Sequence, residues 1–83
     1  MPTTRYFDEQ VLRKRPYLSL EICEAVIADP IRKEVQVDGR IRHWGAATLP
    51  NHEGKRILRV ITLADGVTIH NAFPDRNFVE AAP

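Results

Sequence analysis

The chain is short of the residues that would announce a chemistry. A single cysteine, Cys23, excludes an internal disulfide. Cys23, His43, His52 and His70 offer no close paired spacing of the zinc type, so no metal and no cofactor is expected. Twelve Lys and Arg stand against eleven Asp and Glu, and a formal net charge of +1 names no partner by itself. No apolar run approaches the roughly 18 residues that span a bilayer. The opening "MPTTRYFDEQ" also lacks the apolar core of a signal peptide, so the expected compartment is the cytoplasm, with no membrane association.

What is present fits an ordinary globular domain, with 43% hydrophobic and 28% charged residues. With 83 residues the chain makes one domain, 1-83, and not two. Folding at that size hides somewhat more than ~60% of the extended chain's surface, which allows one core of modest stability.

The N-terminal third predicts two helices, because Pro16 cannot donate an amide hydrogen bond inside one long helix. In the first, Asp8 sits near the start and Arg13, Lys14 and Arg15 at the end, as the helix dipole favours, with Phe7 and Val11 on one face. A short strand over Thr4 to Phe7 would precede it. The second opens at Ser19, whose hydroxyl can cap a free amide, and carries Ile22, Cys23, Val26 and Ile27 as its apolar stripe.

From Ile31 onward the pattern turns to strands punctuated by Gly and Asp: Ile31 to Val37, Ile41 to Leu49, Arg56 to Ala64 and Val67 to Phe73. A three-residue first loop with Gly39 left-handed would pair Val37 with Ile41 and Val35 with His43. A two-residue Asp65-Gly66 loop would set Thr62 opposite Ile69, Val60 opposite Asn71 and Leu58 opposite Phe73. The predicted fold is therefore α+β, with two helices on one face of a four-stranded antiparallel meander. The uncovered face would carry Arg42, Trp44, Arg59, Ile61 and His70. Asn71 would face the helices, and His43 would be a hydrogen-bonded packing residue.

The segments "RKRPYLSLEICEAVIADP", "VQVDGRIRHWG" and "LRVITLADGVTIHNAFPDR" resemble a bacterial family of short toxin-like proteins related to the RelE/ParE superfamily, and more loosely the BrnT-type toxins. The likeness runs from about Tyr6 to Phe78, with "DGRIRHWG" and "DGVTIHNAFPDR" its most specific parts. It implies a RelE/ParE-like fold and a toxin restrained by a small cognate antitoxin. By extension it implies a ribonuclease acting on mRNA at the ribosome, or a relative that binds a gyrase-type protein target. The chain differs from the ribonucleases of that superfamily in being nearly neutral. It also has no Tyr in its C-terminal half.

Cleavage of RNA by its own 2'-hydroxyl needs a proton acceptor, cations for the phosphorane and a proton donor. On this reading His70 exchanges the proton and Arg59 completes the catalytic pair, Arg42 and Arg76 hold phosphate, and Trp44 stacks on a base. The alternative is structural: His70 and Arg59 lie on a solvated face, Trp44 packs under a loop, and Arg42 pairs with Glu34. In "FPDR", Asp75 turns the chain after Pro74, while Arg76 either pairs locally or swings back to the sheet. His52 lies in a turn, and Cys23 is a small buried apolar group. A non-catalytic protein-binding module and a degenerate, inactive domain are the competing functions.

Overall fold

The computed structural model describes residues 1–50 and 54–78 of the chain, so His52 lies outside the described residues. The first helix, α1, begins as a π-helical turn over Phe7–Val11 and continues as α-helix over Leu12–Lys14. The second, α2, is Leu20–Ala28. The strands are β1 (Arg32–Val35), β2 (Ile41–Thr48), β3 (Lys55–Thr62) and β4 (Ile69–Pro74). They form one antiparallel sheet in the order β1-β2-β3-β4.

Local chemistry explains both helix starts. Thr4 accepts the Phe7 N–H on its hydroxyl at 3.1 Å, and Ser19 accepts the Ile22 N–H at 3.2 Å, each satisfying an amide that the helix leaves unpaired. Thr4 does not begin a strand leading into Phe7. Instead Thr3 makes a parallel bridge to Ile69, so the N-terminus lies along the outer edge of β4.

Packing follows from strand alternation. Leu58, Val60 and Thr62 of β3 point to the helices and are fully buried, as are Ile69 and Ala72 of β4. Phe7 and Val11 of α1 and Cys23 and Val26 of α2 complete the core. Burial pushes the Cys23 thiol up to about 12, with Glu24 nearby adding to the rise, so it packs as an inert apolar group. Gly45 lets α2 come close, since a Cβ there would sit 3.1 Å from Val26 Cγ1.

Two registers differ from the sequence expectation. In the first hairpin Val35 pairs with Ile41 and Arg32 with Trp44, a shift of two residues from the predicted pairing that keeps every side chain on its predicted face. The three-residue loop and its left-handed Gly39, with φ +91°, are present, but the loop is Val37 to Gly39 and Val37 stands fully exposed outside the strand. Either register satisfies the alternation of Val35 and Val37, so turn geometry decides.

In the second hairpin Thr62 does face Ile69, but Ile61 pairs with Asn71 and Val60 with Ala72. His70 is the extra residue of a β-bulge. Every residue after it changes face, so Asn71 and Phe73 lie on the uncovered side and Ala72 in the core. Asn71 accepts the Ala72 N–H on its carboxamide at 2.9 Å, supplying a backbone partner beside the bulge.

Candidate functional site

Register places a row of side chains across the uncovered face: Arg32 opposite Trp44, Trp44 opposite Arg59, Arg59 opposite Phe73. Cations and aromatic rings alternate along it. The guanidinium carbon of Arg32 lies 5.5 Å from the Trp44 ring centre, and that of Arg59 lies 5.2 Å from Trp44 and 5.0 Å from Phe73. Arg15, beyond the end of α1, reaches Phe73 at 6.0 Å and extends the row past β4. Each such contact stabilises by about 0.5–1 kcal/mol where solvent reaches it and by more where it does not.

Asp75 fastens the row. It accepts from Trp44 Nε1 at 2.9 Å and from Arg59 at 2.7 and 3.1 Å on one oxygen, and its other oxygen accepts the Asn77 N–H at 3.0 Å. Its side chain is only 6% exposed. The Trp44 hydrogen bond, followed by those from Arg59 and Asn77, outweighs desolvation and holds its pKa below the usual carboxylate value. Phe78 folds over Trp44, with ring centres 5.7 Å apart, and the indole is left 5% exposed.

Arg42 lies in the neighbouring row and pairs with Glu34 at 3.2 Å, while Glu34 also binds Arg32 at 2.9 Å. A shallow hollow of about 310 Å³ lies among these side chains. Three guanidinium groups and two carboxylates meet there, so most of the positive charge is cancelled within the cluster.

The structure thus brings Arg42, Trp44 and Arg59 together on one surface, as expected. It sets the two other predicted residues elsewhere. His70 has Nδ1 3.0 Å from Thr4 Oγ1 and its ring stacked on Tyr6 at 4.9 Å. Partial burial, followed by repulsion from Arg40, lowers its pKa and favours the neutral imidazole. Arg76 lies in the turn after β4 and lines a separate cavity with Arg56, Tyr17 and Pro74. It does not pair locally with Asp75, whose oxygens are taken by other donors.

His43 is the hydrogen-bonded packing residue that the sequence suggested. It donates from Nδ1 to the Val60 carbonyl at 3.1 Å and is 1% exposed, and desolvation depresses its pKa. Among the described residues no group of three His, Cys, Asp or Glu is placed to hold a metal ion.

Sequence reasoning missed four members of the row: Asp75 as its fastener, Phe73, Arg32 and Arg15. Phe73 was missed because of the bulge: Ile69 and Ala72, three apart, are both buried, which requires one inserted residue in the strand. No local pattern marks Asp75, whose partner Trp44 lies 31 positions away.

Comparison with family models, with curated proteins and with solved structures gave no match to this chain.

Proposed function

We propose that this chain acts by binding a protein partner through the free edge of its sheet, as one member of a toxin–antitoxin pair. The observation that carries this reading is the state of β1. It is the first strand of the sheet, and among the described residues nothing is paired to its outer side. Val35 is 67% exposed and Val37 is fully exposed beside it. Helix α2 packs chiefly on β2 and β3. An edge of this kind offers a row of backbone donors and acceptors to an added strand, with side-chain contacts supplying the choice of partner.

The chemistry of the edge describes what it takes. Lys33 and Val35 project on the helix side, so a matching segment is extended, apolar opposite Val35 and acidic opposite Lys33. The sequence resemblance to RelE/ParE toxins makes a small cognate antitoxin the partner of suitable size.

Ribonuclease activity is the second reading. The row of arginines and rings across the open face favours it. The separation of His70 from that row and the closure of Arg59 onto Asp75 weigh against acid–base chemistry there.

Controlled expression separates the two. For edge binding, the neighbouring gene product co-purifies with the wild-type chain, Val35→Asp abolishes co-purification while the fold is retained, and any growth arrest leaves messenger RNA intact. Decay of messenger RNA that disappears in both His70→Ala and Arg59→Ala overturns this reading in favour of the nuclease.

A further inference from the structure

We infer that in the free protein the β1 edge pairs with the β1 edge of a second copy, antiparallel, about a two-fold axis at Val35. The inference rests on the reading of β1 as the binding edge and deepens it. A second copy holds the edge until the cognate partner displaces it.

Backbone direction limits how two such edges can meet. The Gln36 N–H donates to the Arg40 carbonyl at 2.7 Å across the first hairpin. Bonds across an antiparallel pair fall on alternate residues, so Glu34 also turns its backbone groups toward β2, while Lys33 and Val35 turn theirs outward. These outward groups are what a second strand meets. Residues directly opposite each other in an antiparallel pair share a face. A symmetric pair that keeps the helix side and the open side continuous therefore has its axis at a residue and not between two residues.

Charge then selects the residue. An axis at Arg32 or Lys33 sets two cations against each other, and an axis at Glu34 sets two carboxylates against each other. Like charges directly opposite destabilise the pair. An axis at Val35 puts the two Val35 side chains together on the helix side. It also sets Glu34 opposite Gln36 of the other copy, Lys33 opposite Val37 and Arg32 opposite Asp38. Of the four positions in β1, this one alone brings no like charges together. It also covers Val35 and Val37, the two most exposed large apolar side chains among the described residues, with the apolar stem of Lys33 lying along Val37. Strands this short bury less than the roughly 1,200 Å² of a stable interface, so the pair is weak and exchanges readily, as an edge that a partner takes over requires.

The test is sedimentation velocity of the full chain, joined to cysteine cross-linking. The weight-average mass should rise from monomer toward dimer between about 10 µM and 1 mM, the range expected of a small interface. Val35→Asp should weaken the dimer at least tenfold. Val67→Asp, at an exposed valine of the β3–β4 loop, should leave it unchanged. Val35 Cα atoms about 5.5 Å apart suit a disulfide. Under mild oxidation Val35→Cys should therefore cross-link at least tenfold faster than Lys33→Cys or Glu34→Cys, with the wild type, whose Cys23 is buried, as the blank. A chain still monomeric at 1 mM overturns the inference. So does a dimer that Val35→Asp leaves intact or that Val67→Asp weakens equally, and so does cross-linking with no preference for Val35→Cys. A monomeric free chain leaves the co-purification result at β1 standing, whereas a dimer beside failed co-purification removes the cognate partner and keeps the second copy.

Discussion

On the helix side of β3, Leu58, Val60 and Thr62 are sealed from solvent, whereas Ile57, Arg59 and Ile61 on the other side of the same strand stay partly exposed. The helix side is closed by burial, with Phe7, Val11, Cys23 and Val26 packed directly on it. The other side is closed by its own side chains, through Arg32, Trp44, Arg59, Phe73 and Asp75. Burial is non-directional and tolerates any apolar group of suitable size. The row depends on particular partners, because a cation over a ring and a carboxylate between two donors each need defined geometry. A small domain without a second layer of helices can thus keep a tryptophan dry by local pairing.

This contrast predicts effects of different size and character. The largest belongs to the helix side: Leu58→Ala should lower the unfolding free energy by about 2–5 kcal/mol in urea denaturation, with little change across pH. An effect below 1 kcal/mol would show that the helices do not seal that face.

On the row, Asp75→Asn should lower stability by about 1–3 kcal/mol, since Trp44 and Arg59 lose a charged acceptor. Because folding lowers the Asp75 pKa, its contribution is complete above the unfolded value of about 3.9 and disappears as pH falls through the folded value beneath it. The wild-type chain should therefore lose its margin over Asp75→Asn on acidification below about pH 4. Parallel acid profiles of the two proteins would break the contrast between the faces.

The smallest effect lies at the outer end of the row. Arg32→Gln removes one cation from Trp44 and one partner from Glu34, and thermal unfolding should register a loss of about 0.5–1 kcal/mol. High salt should erase part of this difference and none of the Leu58→Ala effect.

Much of this was legible in the sequence because it depends on neighbours. Ser19 as a cap, the Cys23 and Val26 stripe, the left-handed Gly39 and the pairing of Thr62 with Ile69 all follow from residues within one turn or one hairpin. The shared face of Arg42, Trp44 and Arg59 followed from alternation alone. The rest depended on a single inserted residue and on distant partners. The bulge at His70 reversed the facing of Asn71 and Phe73, and a two-residue register shift brought Arg32 to Trp44. The pairing of Trp44 with Asp75 and of Arg15 with Phe73 arises only when separate elements meet.

The parallel bridge between Thr3 and Ile69 has a consequence for how copies of this protein can meet. Indefinite fibres built by strand addition need two vacant margins on every unit. Here the N-terminal residues occupy the β4 margin through hydrogen bonds from Thr4 N–H to the Ile69 carbonyl and from Ile69 N–H to the Pro2 carbonyl. Strand addition at the Ile69 end of β4 must first displace these N-terminal residues, whereas addition at β1 requires no such displacement among the described residues.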